Sequence, residues 1–266
     1  MNVSIIMPLF KYDKKLLEKI LKAIKKQDFD GKIEIIKIDK GFGLARSLNY
    51  GIKEAKYDVI VSLHQDCLPS SNKWLVTLTN PLLEKKVVAS VSKVELPYQF
   101  WKGFSFFARV FSAKEQKIIK PLMDEKGCAY KKSVLIRVGL FNEKDFRTAG
   151  EDFDMYIKLK KIGKIAYPDC KVLHFHKHTF KNRFKKELQL SNGFGALVGI
   201  YGREMPKSAM GLIKSIPILG LPLFIINFPY KRWFLGGLCW IILCPIIHLV
   251  YCYGFWKGFL NNKQII

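Results

Sequence analysis

The stretch VIVSLHQDCLP, residues 59–69, decides how the chain is read. Residues 59–63 are mostly apolar and read as a buried strand. They run into His64, Gln65 and Asp66, and Pro69 ends the extended run. A carboxylate at the carboxyl end of a buried strand is where an open α/β sheet carries its ligand chemistry. Side chains two apart on an extended strand point the same way, so His64 and Asp66 are expected to face one site. A polar strand end followed by a turn is the plainer alternative, and the flanking sequence decides between them.

Upstream, residues 3–7 form an apolar run closed by Pro8 and read as a first strand. Residues 14–26 place Leu16, Leu17, Ile20, Leu21 and Ile24 on one face of a helix. Residues 33–38 are β-branched and end at Asp39, a second strand with an acid at its tip. A short glycine loop, residues 40–43, leads into a helix over 44–55. Strand, helix, strand, helix, strand in this order gives a parallel sheet with right-handed crossovers. The loop KGFGLAR has Arg46 where a dinucleotide fingerprint needs its third glycine. Gly41 and Gly43 ahead of a helix still expose backbone N–H groups to a phosphate, and Lys40 and Arg46 add charge. A tight turn that needs glycine for its backbone angles is the alternative.

Downstream, residues 72–83 read as a helix and 87–94 as a strand. Residues 98–111, YQFWKGFSFFARVF, are dense in aromatics and serve as core, as a cover over the site, or as a lipid-facing surface. Residues 133–138 form a short helix. Glu151 and Asp152 stand just ahead of a helix over 153–161, where acids complement the helix dipole and are expected to stay ionised. Short strands are expected over 164–167 and 171–175. His174, His176 and His178 alternate along the second, an arrangement that suits a metal, a phosphate or an ordinary polar edge.

Lys and Arg number 45 against 22 Asp and Glu in 266 residues, a formal net charge of +23. This favours an anionic membrane or phosphorylated substrates. The lysines are scattered and no helix-turn-helix or RNA-binding pattern appears, so no nucleic-acid partner is expected. The six cysteines form no C-x-x-C pair, and reduced thiols are the default. The opening MNVSIIMPLF lacks a basic region and a long apolar core, so no signal peptide is expected. Residues 233–256 hold no Asp, Glu, Lys or Arg, long enough to cross a bilayer. Residues 215–230 are apolar but broken by Pro217, Pro222 and Pro229. A single span, a hairpin, a pair of helices lying in the interface and a buried pair in a soluble protein all stay open. Two spans would set Lys231 and Arg232 across the membrane from the basic domain, against the positive-inside bias.

Taken in order, the segments over residues 3–178 resemble family 2 glycosyltransferases of the GT-A fold. VSIIMPLF resembles the family's first strand and EIIKID its second, whose terminal acid meets the base. GLARSLNYGIKEA resembles the helix after the glycine turn, and HQD sits where the family has its D-x-D. GCAYKKSVLIRVGLFNE resembles the acceptor-side segment, and GEDFDMYIKLKKIGKIAYPDCKVLH the acidic helix start followed by a strand ending in His. The form Q-D-C-L-P with E-D-F-D and a later His cluster is most similar to bacterial-type rhamnosyltransferases. The chain departs from the pattern at His64, which replaces the first acid of D-x-D, and in the near absence of a loop after Asp39. It has no Q-x-x-R-W, which argues against a processive polysaccharide synthase.

The resemblance implies an α/β GT-A domain with a mixed, mostly parallel sheet over 1–205, and the apolar run at the carboxyl end implies a membrane-associated helical segment over 206–266. It implies an inverting transfer of sugar from a nucleotide-diphosphate donor with Mg²⁺ or Mn²⁺. Asp66, with His64, His174 and His176, would hold the metal. Pro8, Asp39, Lys40, Gly41, Gly43, Arg46, His64 and Gln65 would meet the nucleotide. Asp152 would be the general base, with Glu151 orienting it or the acceptor. The acceptor would be membrane-located, a lipid-linked saccharide or a polyprenyl phosphate, at the cytoplasmic face of the cell membrane. A nucleotide-binding membrane protein without transferase activity is the alternative.

Overall fold

The structure is a computed structural model, which describes residues 1–116, 118–146 and 149–262. In chain order its strands are β1 Val3–Pro8, β2 Ile33–Ile38, β3 Val59–Ser62, β4 Cys67–Pro69, β5 Val87–Val91, β6 Lys93–Glu95, β7 Cys128–Lys131, β8 Lys164–Ala166 and β9 Lys171–His174. The helices are α1 Lys14–Lys25, α2 Leu44–Glu54, α3 Trp74–Thr79, α4 Tyr98–Lys102, α5 Phe106–Ser112, α6 Lys132–Arg137, α7 Glu151–Lys160, α8 Phe180–Tyr201, α9 Ser208–Lys214, α10 Leu221–Ile226 and α11 Phe234–Asn261. The expected elements form, with differences in their bounds. The run over 87–94 breaks at Ser92 into two strands of different sheets, and the acidic helix starts at Glu151 instead of Phe153.

The chain divides into two compact units. The first comprises Met1–Pro97, Ile118–Glu143 and Glu151–His176 and holds every strand among the described residues. Its main sheet has the order β2-β1-β3-β7-β5-β8. β1 pairs in parallel with β2 and β3, β5 with β8, and β7 lies antiparallel between β3 and β5. A small sheet, β4-β9-β6, sits beside it.

Alternation along β1 explains the layers. Val3, Ile5 and Met7 join Ile20 and Ile24 of α1 and Trp74, Leu75 and Leu78 of α3 in one buried cluster. Ile6 faces the other way, onto α2, where only glycine fits: a Cβ on Gly51 would stand 2.4 Å from Ile6 Cγ2. The parallel register pairs Pro8 with Ile38 and Ile6 with Ser62. The carboxyl ends of β1, β2 and β3 therefore share one edge, which carries Pro8, Asp39 and the turn at 64–66.

The second unit comprises Tyr98–Lys117, Lys144–Gly150 and Lys177–Ile266 and is helical where described. The aromatic stretch forms α4 and α5 here. Phe111 packs its ring on Phe180, Phe184 and Trp240, at centroid distances of 5.2, 5.4 and 6.1 Å. Arg109 lies over the rings of Trp101 and Trp233. His178 belongs to this unit and not to the strand face expected to align it with His174 and His176. β9 stops at His174, and His178 pairs with Glu115 at 3.1 Å.

Buried Asn49 on α2 ties down the chain after α6. Its Nδ2 donates to Phe141 O at 2.8 Å and its Oδ1 accepts from Phe141 N at 2.9 Å. Asn49→Ala strands both backbone groups in a dry place, and we expect a loss of about 2–3 kcal/mol in a urea unfolding titration.

Candidate functional site

The site begins with a backbone register. β4 runs antiparallel to β9 with Cys67 opposite His174, and Phe175 N donates to Asp66 O at 2.8 Å. Asp66 is thereby set between the two histidines that flank Phe175. Its Oδ2 lies 3.4 Å from His174 Nε2 and 3.2 Å from His176 Nδ1, and the two imidazoles stack at 5.6 Å. One donor atom from each of Asp66, His174 and His176 falls within 4.8 Å of the others. Burial alone would raise the Asp66 pKa, but hydrogen bonds from both histidines outweigh it and hold the carboxyl well below the usual carboxylate range.

His64 is placed differently from its neighbours. β3 ends at Ser62, and Cys67 N bonds back to His64 O at 3.1 Å, so residues 64–67 make a turn instead of an alternating strand. The donor atoms that converge are those of Asp66, His174 and His176. The His64 Nε2 is buried with no hydrogen-bond partner among the described residues. Burial and the nearby Lys126 charge push its pKa down to about 4, which leaves a neutral imidazole at neutral pH.

Residues named for the nucleotide lie along the shared edge. Gln65 has its amide committed: Oε1 accepts from Phe10 N at 2.6 Å and Nε2 donates to Phe10 O at 2.7 Å. It thus braces the loop after Pro8. Asp39 and Lys40 are exposed beyond β2. Lys40 Nζ donates to Tyr50 OH at 2.8 Å, and the Arg46 guanidinium lies 4.4 Å from the centre of the Phe42 ring. Both cations, Lys40 on the glycine loop and Arg46 on the first turn of α2, lie against aromatic faces. Gly41 has φ +64°, and Gly43 is the residue from which α2 starts.

Three further residues join the site from a turn whose sequence reads only as polar: Asp124, Glu125 and Lys126. Lys126 Nζ makes two 2.9 Å bonds to the Asp124 carboxylate. The Asp124 charge raises Lys126, and Lys126 in turn holds Asp124 low against its burial. This pair acts electrostatically on His64 and His174 on one side and on Asp152 on the other. Its signal in the sequence is three charges packed ahead of the small-residue strand at 128–131.

Asp152 departs from the expectation for a helix start. Burial, with Glu151 next to it, pushes its carboxyl up to about 8, although its Oδ1 accepts from Phe153 N at 2.8 Å. Desolvation and a like charge outweigh the helix dipole here. Glu151 is buried at the first turn of α7.

Glu125 is buried to 2 % exposure, accepts from Tyr130 OH, and burial pushes it up to about 8. A raised acid binds its proton more tightly folded than unfolded, so it lowers stability as pH rises between about 4.5 and about 8. Melting curves of wild type and Glu125→Gln across this window are expected to diverge, wild type losing up to about 1.4 kcal/mol per pH unit more.

A sequence profile described as Glycosyl transferase family 2 matches residues 12–141. No curated protein sequence matches the chain. Among solved structures, the mannosyltransferase PcManGT from Pyrobaculum calidifontis, in complex with GDP-Man and Mn²⁺, is similar with a TM-score of 0.56 and 14% identity, over 96% of this chain and 86% of that one. GalNAc-T7 with UDP, GalNAc and Mn²⁺ has a TM-score of 0.53 and 10% identity, over 91% and 58%. The glucosyl-3-phosphoglycerate synthase of Mycobacterium tuberculosis, with phosphoglyceric acid, has a TM-score of 0.51 and 11% identity, over 72% and 78%. With this sheet order and an acidic turn at its carboxyl edge, the chain has the GT-A glycosyltransferase fold, and its residues 12–141 match glycosyl transferase family 2.

Proposed function

We propose that the protein transfers a sugar, with inversion, from a nucleotide-diphosphate donor to a lipid-linked saccharide at a membrane, in the synthesis of envelope or glycoprotein glycan. The observation that carries this reading is the convergence of Asp66, His174 and His176 at the carboxyl edge of a family 2 sheet. One carboxylate and two imidazoles suit a divalent transition metal such as Mn²⁺, with Mg²⁺ the oxygen-preferring alternative. The partnerless Nε2 of neutral His64 fits a ligand or a ribose contact beside them. Two of the similar structures hold Mn²⁺ together with GDP-Man or with UDP and GalNAc. A metal bound here would offset the charge that develops on the departing diphosphate.

The chain's own residues take the remaining tasks. Lys40 and Arg46 face the phosphates from the glycine loop, and Pro8, Asp39, Gly41 and Gly43 shape the nucleotide side. Asp152 takes the proton of the acceptor hydroxyl, with Glu151 beside it, and its raised pKa brings it close to the working pH. The apolar helix α11 is long enough to associate the enzyme with a membrane. On this reading the catalytic domain lies at the cytoplasmic face. The chain's excess of basic residues favours the same location.

Three outcomes are expected. Asp66→Ala abolishes Mn²⁺ binding in a calorimetric titration, and His174→Ala weakens it at least about tenfold. Asp152→Asn lowers kcat about 10²–10⁴-fold with a hydroxyl acceptor, read as nucleotide release and labelled lipid from a panel of nucleotide sugars. If Asp152→Asn keeps near-normal turnover, the acceptor is already an anion, and a polyprenyl phosphate takes its place. In wild type, kcat/KM falls as pH drops through the raised Asp152 pKa. Glu151→Gln removes the neighbouring charge and moves that limb to lower pH.

A further inference from the structure

We infer that the carboxyl-terminal helices lie in the plane of one membrane leaflet without crossing it. The partner is an anionic lipid surface, and residues 216–219 form an inserted tip. This rests on the membrane reading above and assigns its geometry.

The two faces of α11 differ. Leu235, Leu238, Ile242, Leu249, Tyr253 and Leu260 recur at helical spacing and are all exposed, along a helix about 42 Å long. Soluble proteins rarely show so long an apolar patch. The opposite face is committed to protein by its polar atoms. Trp240 Nε1 donates to Phe224 O at 3.0 Å and Trp256 Nε1 to Ser215 O at 2.9 Å, and His248 Nε2 lies 2.7 Å from Lys214 O. These bonds put the end of α9, the start of α10 and the turn between them level with the middle of α11.

That turn decides the orientation. Ile216, Pro217, Ile218 and Leu219 are exposed and non-helical. Ile218 is 83% exposed at φ +70°, a backbone region that β-branched residues avoid. Gly220, next in the chain, lies against the His248 ring: a Cβ there would stand 2.7 Å from Nε2. His248 is near the middle of α11. Were α11 to cross the bilayer, irregular backbone would face hydrocarbon at mid-depth, which lipid-exposed chains do not do. With α11 lying flat, the same carbonyls sit among headgroups while Ile218 and Leu219 reach the acyl boundary.

Charge identifies the lipid. Residues 205–266 contain no Asp or Glu, and carry Lys207, Lys214, Lys231, Arg232, Lys257 and Lys263. A segment of one sign beside an apolar stripe matches an anionic leaflet.

The test uses the full chain with an epitope at each end, in sealed membrane vesicles of both orientations treated with external protease. The in-plane arrangement leaves both epitopes and the Lys231–Arg232 turn on one side. All three are cut in one orientation and none in the other. Ends on opposite sides mean a single span, and ends together with Lys231–Arg232 opposite mean a hairpin; either overturns the proposal while keeping the membrane reading. Purified protein is then mixed with phosphatidylcholine vesicles with and without phosphatidylglycerol. Binding is expected to need the anionic lipid, and Ile218→Glu with Leu219→Glu to weaken it at least about tenfold at unchanged Tm. Unchanged binding by that variant overturns the inserted tip. A wild type that binds neither vesicle and runs as a dimer assigns the stripe to a second copy and removes the membrane reading as well.

Discussion

The hydrogen bond from Phe175 N to Asp66 O fixes the site more than any side-chain contact does. It sets the β4–β9 register, and side-chain direction in a strand pair follows from register with a period of two. A slip of one residue would turn His174 and His176 away from Asp66 together. The carboxylate is then held by two imidazoles, and those bonds keep it ionised in a place that would otherwise favour its neutral form. The rest of the first unit serves this placement. β3 delivers the chain to the turn at 64–67, and Gln65 clamps that turn to the loop after β1.

Much of this was legible in the sequence because it is local. The apolar runs over residues 3–7, 33–38 and 59–63 could only be buried strands, and their carboxyl ends had to lie on one edge once the crossovers were right-handed. Asp66 is legible for that reason, the His cluster from its alternation, and Asp152 through the family resemblance. What escaped was non-local. The order β3-β7-β5-β8 inserts an antiparallel strand from far downstream, and no periodicity encodes that. The split of His178 from His174 and His176 follows from β9 ending early. Lys126 and Asp124 look like ordinary surface charges in a turn and acquire meaning only when folding brings them beside His64 and Asp152.

The ionisation of Asp152 shows two local rules in competition. A helix amino terminus stabilises a carboxylate by a fraction of a kcal/mol to about 1 kcal/mol when it is solvated. Burial and a second acid at the adjacent position push the other way more strongly, and they win. The sequence displayed both acids but not the burial, so the dipole was the only visible effect. Lys126 moderates the result. It is the cation that lowers Asp152, and Asp124 keeps it charged.

His64 is shaped by the same charges. An acid at that position would add a second negative charge beside Asp66 in a turn that already feels Asp124. A neutral imidazole supplies a donor atom without that charge, and the same Lys126 that steadies Asp152 helps keep His64 unprotonated. With Asp66 as the only ionised acid among the converging donors, a divalent ion held there on the proposed reading would keep a net positive charge. A nucleotide diphosphate, not the protein, would then complete its neutralisation. The departure from D-x-D thus fits a site whose last anionic ligands arrive with the donor.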